Sequence, residues 1–232
     1  YRDQIPGETL VLTFLNRLKI KKEIFSAVYS NIMDTFVTEA DFWDDDSMQR
    51  EFLPGIIDES KDKLVEFLGC IDTGIKDISY EKIDDKIRIY TTHTGKNGKD
   101  YTLGLYNESD GTLKSILLYI LARVAILNDK SLFIDELNDR LHPLLLKYII
   151  DLFYESDSMA QLIYTTHDTT LMDKKFFRRD QIWFVQKDEY GYSELVALSD
   201  YKVRSDASFE KDYLAGVYGG IPFLKEFQMK EK

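Results

Sequence analysis

Apolar residues in the first zone of the chain, from about Glu8 to Gly69, recur at the spacing of helical turns, which predicts helices. Pro54 and Gly55 follow an acidic stretch and interrupt this pattern, so we expect a loop at that point. A last short helix is predicted over 61–68, and Gly69 is expected to end it. The apolar positions with helical spacing are Leu10, Phe14, Leu18, Ile24, Val28 and Ile32.

The second zone, about 75–106, changes to a period of two, which is typical of β-strands. Two such runs flank the segment Gly95–Lys99, and the Asn-Gly pair within it favours a tight turn between strands. We therefore predict a β-hairpin in this zone. The alternating positions are Ile87, Ile89 and Thr91 in the first run and Tyr101, Leu103 and Leu105 in the second.

From Ser109 onward, helical patterns alternate with short apolar runs that are typical of buried strands. Pro143 is expected just inside the second helix of this zone. Short strands separated by helices predict an α/β fold with a mostly parallel sheet that helices cover on both faces. The expected strands are Leu132–Ile134, Leu162–Tyr164 and Ile182–Val185, and the helices are expected to bury Leu113, Ile116, Leu117, Ile120, Leu121, Val124, Leu145, Ile149 and Leu152.

Composition narrows the classes of protein to which the chain can belong. Its 232 residues are 44% hydrophobic, which suits a packed globular protein. Arg123 interrupts the longest apolar run, so we expect no membrane span, and the start of the sequence lacks the order of a signal peptide. Cys70 is the only cysteine, which excludes an intrachain disulfide. We therefore expect a cytoplasmic protein without a membrane partner.

Charge argues against direct binding to nucleic acid. The chain has 30 lysines and arginines against 41 aspartates and glutamates, a net charge of −11, whereas nucleic-acid binding depends on clustered cations. Small basic patches at Lys19–Lys22 and Lys174–Arg179 are more typical of solvated helix ends. Nucleic acid stays a candidate partner only through a second protein or a segment outside this sequence.

Two acids follow an apolar run, since Asp135 and Glu136 come directly after Leu132–Ile134. A buried strand would therefore deliver both carboxylates to its C-terminal edge. Phosphoryl transfer needs Mg²⁺ held beside the phosphates and a residue that polarises the attacking water. Asp135 suits the first role, usually through a metal-bound water, and Glu136 suits the second. The alternative is an ordinary strand followed by an acidic turn.

A histidine follows the next apolar run, within the segment Thr165–Asp168. The imidazole of His167 could donate a hydrogen bond to a γ-phosphate at the strand end and so sense whether that phosphate is present. The alternative is a structural histidine whose hydrogen bonds are satisfied locally.

The long helix opens with Ser109, Gly111 and Thr112. Backbone N–H groups and the helix dipole attract an anion at such an end, and glycine lets the anion approach closely. The alternative is a plain helix cap, with Ser109 or Asp110 as the capping residue. The charge of Asp110 argues against a phosphate at this place.

The order of these three segments is more specific than any one of them. With it the chain resembles the ABC-type ATPases of the OLD, SMC and Rad50 kind. The strongest resemblance is to the AAA-domain ATP-binding proteins of bacterial anti-phage and abortive-infection loci, of the RloA, AbiL and PARIS-ATPase type. The resemblance runs from about Leu68 to Pro222, over the segments Glu108–Thr112, Leu132–Leu137, Leu141–Pro143, Thr165–Asp168, Arg178–Phe184 and Tyr213–Pro222.

The resemblance implies a P-loop NTPase fold and a role for each motif. Asp135 and Glu136 match the Walker B positions and His167 matches the switch histidine. Asp135 would thus hold Mg²⁺, and Glu136 and His167 would be catalytic. Residues 71–232 would form the C-terminal part of the ATPase domain, and residues 1–70 a helical insertion or arm; a helical layer that only covers the sheet is the alternative.

The same resemblance implies that two subunits share each nucleotide. Ser109, Gly111 and Thr112 match the signature motif, which contacts ATP bound to the opposing subunit. Asn138 and Asp139 match the D-loop region, which crosses between subunits. The implied assembly is a head-to-tail dimer with two composite ATP sites.

The Walker A loop, Gly-x-x-x-x-Gly-Lys-Ser/Thr, does not occur in the sequence. A segment outside this sequence or a separate polypeptide would supply it, or the chain is an inactive relic; the intact acids and histidine favour the first two explanations. We expect a Mg²⁺-dependent ATPase that drives or gates an anti-phage effector, such as a nuclease. The alternatives are a non-catalytic scaffold that holds a partner and, ranked last because we find no Toprim segment after Pro222, the ATPase half of an OLD-type nuclease.

Overall fold

The chain divides into two compact units, one up to His167 and one from Asp168. The residues that the computed structural model describes are 36–38, 52–71, 73–84, 86–204 and 207–221. The helices predicted between Leu10 and Ile32 lie outside them.

The described elements alternate between strands and helices along most of the chain. The strands are β1 (Phe36–Thr38), β2 (Ile75–Ile83), β3 (Lys86–Thr94), β4 (Asp100–Gly104), β5 (Ser131–Ile134), β6 (Gln161–Tyr164), β7 (Trp183–Lys187) and β8 (Ser193–Ala197). The α-helices are α1 (Leu53–Cys70), α2 (Asp110–Leu127), α3 (Pro143–Tyr154) and α4 (Phe209–Leu214). Short 3₁₀ helices lie at Leu105–Asn107, Arg179–Gln181 and Leu198–Asp200.

A parallel sheet in the first unit has the order β1-β5-β6. In its register Ile134 lies beside Thr38 on one side and beside Tyr164 on the other. Leu132 and Ile134 are buried, which confirms the predicted strand with an apolar core. Strand β1 lies in the zone predicted as helical, so that prediction is wrong there, because three residues are too few for a period of two to show.

An antiparallel sheet in the first unit has the order β2-β3-β4. The predicted hairpin is confirmed, with Thr94 of β3 beside Asp100 of β4. Gly98 has a φ of 74°, which glycine adopts without strain. The side-chain oxygen of Asn97 accepts a hydrogen bond from the Lys99 N–H at 3.0 Å, which closes the turn locally.

Helix α1 begins earlier than the sequence predicted. Pro54 and Gly55 lie in its first turn instead of in a loop, because the fixed φ of proline suits a turn whose N–H groups have no partner inside the helix. A kink at Ser60, with φ −152° and ψ 34°, separates the first part of the helix, residues 53–59, from the predicted helix over 61–68. The loop prediction is therefore wrong at Pro54.

Three helices of the first unit share an aromatic contact. Phe67 of α1 stacks on Tyr119 of α2 with ring centroids 4.5 Å apart, and lies 5.9 Å from Tyr148 of α3. Pro143 opens α3 as predicted, but α3 buries Leu146, Ile149 and Ile150 instead of the expected Leu145 and Leu152. No helix in the part of the chain that the structure describes is both long and apolar enough to cross a membrane.

The second unit is built around an antiparallel hairpin. Phe184 of β7 packs in a core with Leu198, Phe209 and Tyr218. Strand β7 pairs with β8, so the apolar run Ile182–Val185 does not join a parallel sheet as expected. Short turns link β7 to β8, β2 to β3 and β3 to β4. Strands that are joined by such short turns pair antiparallel.

The α/β class is confirmed, with a correction to the sheet. Of the eight described strands, β1, β5 and β6 run parallel and the other five pair antiparallel. The described residues therefore form small sheets of both kinds, and the expected mostly parallel sheet is not seen among them.

Candidate functional site

Two carboxylates lie at the C-terminal end of β5. Asp135 and Glu136 follow Ile134 directly, and both are exposed although the strand before them is buried. Glu136 has a φ of 46°, in the left-handed region, which costs a residue with a Cβ about 1 kcal/mol. Strain of this kind is concentrated at functional sites, and here the backbone turns sharply at the second acid.

Thr165 joins the two acids to the end of β6. Its hydroxyl donates to the Asp135 carboxylate and accepts from the Glu136 N–H at 2.9 Å. Backbone bonds extend the ladder, because the Thr165 N–H donates to Ile134 and its carbonyl accepts from Leu137. The sequence motif contained Thr165, but sequence reasoning gave it no role; a hydroxyl residue directly after a strand paired with the acidic strand was the available signal.

His167 lies at the same edge of the sheet as the acids. The Asn138 side-chain N–H donates to His167 Nε2 at 3.1 Å, and the Thr166 hydroxyl donates to Asn138 Oδ1 at 2.7 Å. Because the amide oxygen accepts from Thr166, the amide nitrogen faces the imidazole. The same nitrogen lies 3.5 Å from Nδ1, and because an amide nitrogen only donates, the ring nitrogen without a proton is its acceptor. The structure thus brings together His167 and Asn138 beside the acids.

Ser109 caps helix α2. Its side-chain oxygen accepts from the Thr112 N–H at 3.1 Å, and the two hydroxyl oxygens lie 2.9 Å apart. Ser109 and Asp110 are exposed, so the amino end of the helix faces solvent. The capping role from the sequence analysis is present here, and a phosphate contact of Ser109 and Thr112 stays a prediction.

Gly111 lies against the segment that follows the acids. A Cβ at Gly111 would meet the Arg140 carbonyl oxygen at 3.0 Å, so a larger residue would push the two backbones apart. Arg140 also pairs with Asp110 and Asp139, each at 3.4 Å. Arg140 thereby offsets part of the Asp110 charge that argued against an anion at this helix end. Asp139 lies on this segment, and the nucleotide contact predicted for it stays a prediction.

Lys114 brings a buried ammonium group to the same place. Its side chain is 7% exposed, and Nζ donates to the carbonyl oxygen of Glu136 at 3.1 Å. Burial lowers the pKa of Lys114, while the charges of Asp139 and Glu136 act in the opposite direction and Arg140 adds to the lowering. Sequence reasoning gave Lys114 no role, although a lysine among the buried positions of α2 was a detectable signal.

Glu108, directly before Ser109, belongs to a buried polar cluster. Its carboxylate lies 2.7 Å from His93 Nε2 and accepts from the Thr91 hydroxyl. The side chains of His93 and Glu108 are 12% and 8% exposed, so the contact ties the start of α2 to strand β3. Thr91 and His93 are two residues apart on β3, and polar residues on the inward face of a strand were the only signal.

Metal binding at this edge would depend on a single carboxylate. No group of three or more histidine, cysteine, aspartate or glutamate side chains in the described part of the chain could hold a metal ion. Mg²⁺ is usually held by one or two carboxylates together with phosphate oxygens and water. The exposed carboxylate of Asp135 fits that pattern.

The acids after β5 and the histidine after the neighbouring parallel strand β6 lie outside the carboxyl ends of their strands, where α/β sheets bind ligands. The chain belongs to the family described as "AAA domain, putative AbiEii toxin, Type IV TA system", whose model matches residues 14–173. Membership implies a P-loop NTPase α/β fold and a nucleotide-binding, ATPase-like activity linked to abortive infection. The matched range includes every candidate site residue and ends before Arg178. No curated protein matches the chain significantly.

Proposed function

We propose that residues 71–232 form the C-terminal part of an ABC-type ATPase domain that hydrolyses ATP with Mg²⁺ and drives or gates an anti-phage effector. The observation that carries the proposal is the hydrogen-bonded edge at the ends of β5 and β6. There Thr165 bonds to Asp135 and Glu136, and Asn138 bonds to His167. Two strands thus present acids and an imidazole to one place.

Glu136 is the group that would activate water in this proposal. Its carboxylate takes a proton from a water molecule as the water oxygen attacks the γ-phosphorus. The bond between the γ-phosphorus and the bridging oxygen breaks, and ADP leaves with the electron pair of that bond. The Thr165 hydroxyl fixes the Glu136 backbone by accepting its N–H, which helps to hold the carboxylate in one direction.

Asp135 would hold Mg²⁺, through a bound water, beside the phosphates. When bound, the metal would supply charge that stabilises the β- and γ-phosphate oxygens. The Thr165 hydroxyl donates to one carboxylate oxygen and so orients the group. The phosphate-binding Walker A loop would come from a segment outside this sequence or from a second chain.

His167 would donate a hydrogen bond to the γ-phosphate. The ring nitrogen that carries the proton would donate to a phosphate oxygen, while the other ring nitrogen accepts from Asn138. Asn138 and Asp139 would in turn lie near the subunit boundary. The state of the γ-phosphate would thus be transmitted from His167 to Asn138.

The signature residues would act on the nucleotide of a second subunit. Ser109, Gly111 and Thr112 lie at a helix end that faces solvent, where N–H groups and the dipole attract a phosphate. Head-to-tail pairing would complete two ATP sites. The toxin–antitoxin context of the family supports a partner protein, and we propose an effector such as a nuclease for that role.

The test is Glu136→Gln in the complete protein, with the Walker A segment present. We expect phosphate release to fall by about 10²-fold or more while ATP binding persists, because the amide cannot accept the proton. Glu155→Gln, at an exposed position after α3, is the matched control and should leave the rate unchanged. Equal phosphate release by Glu136→Gln and the wild-type protein would reject the proposal.

A non-catalytic scaffold is the second candidate, and two local contacts favour it. Ser109 is used as a helix cap, and Gly111 is required by the close approach of Arg140, so both have roles without a nucleotide. This candidate predicts no binding of a fluorescent ATP analogue to the complete protein. Saturable binding with Mg²⁺ present would reject it.

A further inference from the structure

Lys114 is a charged side chain where the helix would otherwise bury apolar groups. Its neighbours Ser115, Ile116 and Leu117 are buried, and Lys114 itself is 7% exposed. A buried ammonium is costly unless oxygen atoms accept from it. A methionine or leucine would fill this position without that cost. The amine therefore indicates a role beyond packing.

The amine meets the backbone of the second acid. The Glu136 carbonyl oxygen accepts from Lys114 Nζ at 3.1 Å and from the Asp139 N–H at 3.0 Å. A carbonyl oxygen has two lone pairs, so these two donors use both of them. The bond fixes the peptide group that follows Glu136. Without this bond, the backbone could leave the strained left-handed conformation of Glu136, whose φ is 46°.

The helix that carries Lys114 also carries the signature residues. Gly111, one turn earlier, lies against the Arg140 carbonyl, and Asp110 pairs with Arg140. The first turns of α2 and the segment after β5 therefore contact each other at Arg140 and at Glu136. Of these contacts, the one between Lys114 and Glu136 involves a buried side chain.

We propose that Lys114 is a positioning residue that holds Glu136 in its left-handed conformation and fixes it to the helix that presents Ser109. This inference rests on the proposed ATPase function. Loss of the amine frees the Glu136 peptide, and the carboxylate then spends less time in the direction that activates water. Nucleotide binding, which does not depend on that direction, is unaffected.

The experiment compares Lys114→Met with Lys114→Arg in the complete protein. Methionine keeps the length and apolar stem but cannot donate, whereas arginine keeps a donor within reach of the carbonyl. We expect the methionine variant to lower kcat by roughly tenfold or more, since misplacement of a reacting group has this effect. The Kd for a fluorescent ATP analogue should stay within about twofold, and arginine should restore part of kcat.

Lys86→Met, at the exposed first residue of β3, is the control and should change neither constant. An unchanged kcat in Lys114→Met, or a joint loss of kcat and ATP affinity that arginine does not rescue, would overturn the inference alone. If circular dichroism shows that the methionine variant does not fold, Lys114→Leu, which also cannot donate, takes its place under the same criteria. A wild-type protein without turnover would overturn the proposed function and the inference together.

Discussion

Asn138 connects the segment after the acids to the residues that follow β6. Substitution of Asn138 tests this connection directly. Asn138 donates to His167 and accepts from Thr166. Asn138→Ala removes both bonds, each worth about 1 kcal/mol, so we expect kcat to fall by up to about thirtyfold. Asn128→Ala is the matched control, because the side chain of Asn128 donates to the carbonyl of Val124 at the far end of α2. Equal rates for both variants in a phosphate-release assay would contradict the role given to Asn138.

Lys114 makes a second residue-scale prediction, on stability against pH. Burial lowers its pKa in the folded state below 10.5, so the unfolded chain binds more protons as pH approaches 10.5 from below. The free energy of unfolding of the wild type should therefore rise relative to Lys114→Met over that window. Asp139, Glu136 and Arg140 lie beside position 114 in both proteins, so the comparison isolates the effect of the lysine. Urea midpoints measured from pH 7 upward would check this, and a falling difference would contradict it.

At the scale of elements, the start of α2 and the segment after β5 are in backbone contact at Gly111. Gly111→Ala should destabilise the fold by about 1 kcal/mol, because its Cβ would meet the Arg140 carbonyl at 3.0 Å and Arg140 has a constrained φ of 57°. Gly55→Ala in α1 is the matched control, since nothing lies within 4 Å of its Cβ. That variant should instead stabilise by about 0.5 kcal/mol, by reducing the entropy of the unfolded chain. Urea denaturation measures both, and a stabilising Gly111→Ala would refute the contact.

The sequence predicted the structure best where a feature depends on residues close together in the chain. The Asn97-Gly98 turn, the strand before Asp135 and the cap at Ser109 depend on local chemistry, and the structure has all three. Strand β7 was assigned to the wrong kind of sheet, because its partner lies beyond a turn and an apolar run does not specify its neighbour.

Contacts between distant segments were the part of the site that no local pattern revealed. The acids and His167 were predicted because they follow apolar strands. The roles of Thr165 and Lys114 were not predicted. These roles depend on the pairing of β6 with β5 and on the packing of α2 against the turn that follows β5. A pattern along the chain shows which face is buried but not which backbone atom lies opposite.

At the scale of the whole molecule, the proposed site is divided between subunits, so activity should be separable into two complementing halves. Glu136→Gln removes the group that acts within a subunit. Ser109→Asp adds a charge that repels the phosphate of the opposing subunit, while aspartate still caps the helix. Ser109→Asn, which caps without the charge, is the control and should retain much more of the activity.

Neither Glu136→Gln nor Ser109→Asp should turn over ATP alone, but an equal mixture of the two should recover about a quarter of the wild-type rate. Half of the dimers are then mixed, and one of the two sites in each mixed dimer has an intact glutamate opposite an intact serine. A double variant carrying both changes, mixed with Glu136→Gln, has no such site and should stay inactive. Recovery by the single variants and not by the double variant would require Ser109 to act across the interface. If the single variants stay inactive in a mixture that cross-linking shows to contain mixed dimers, Ser109 does not act across the interface.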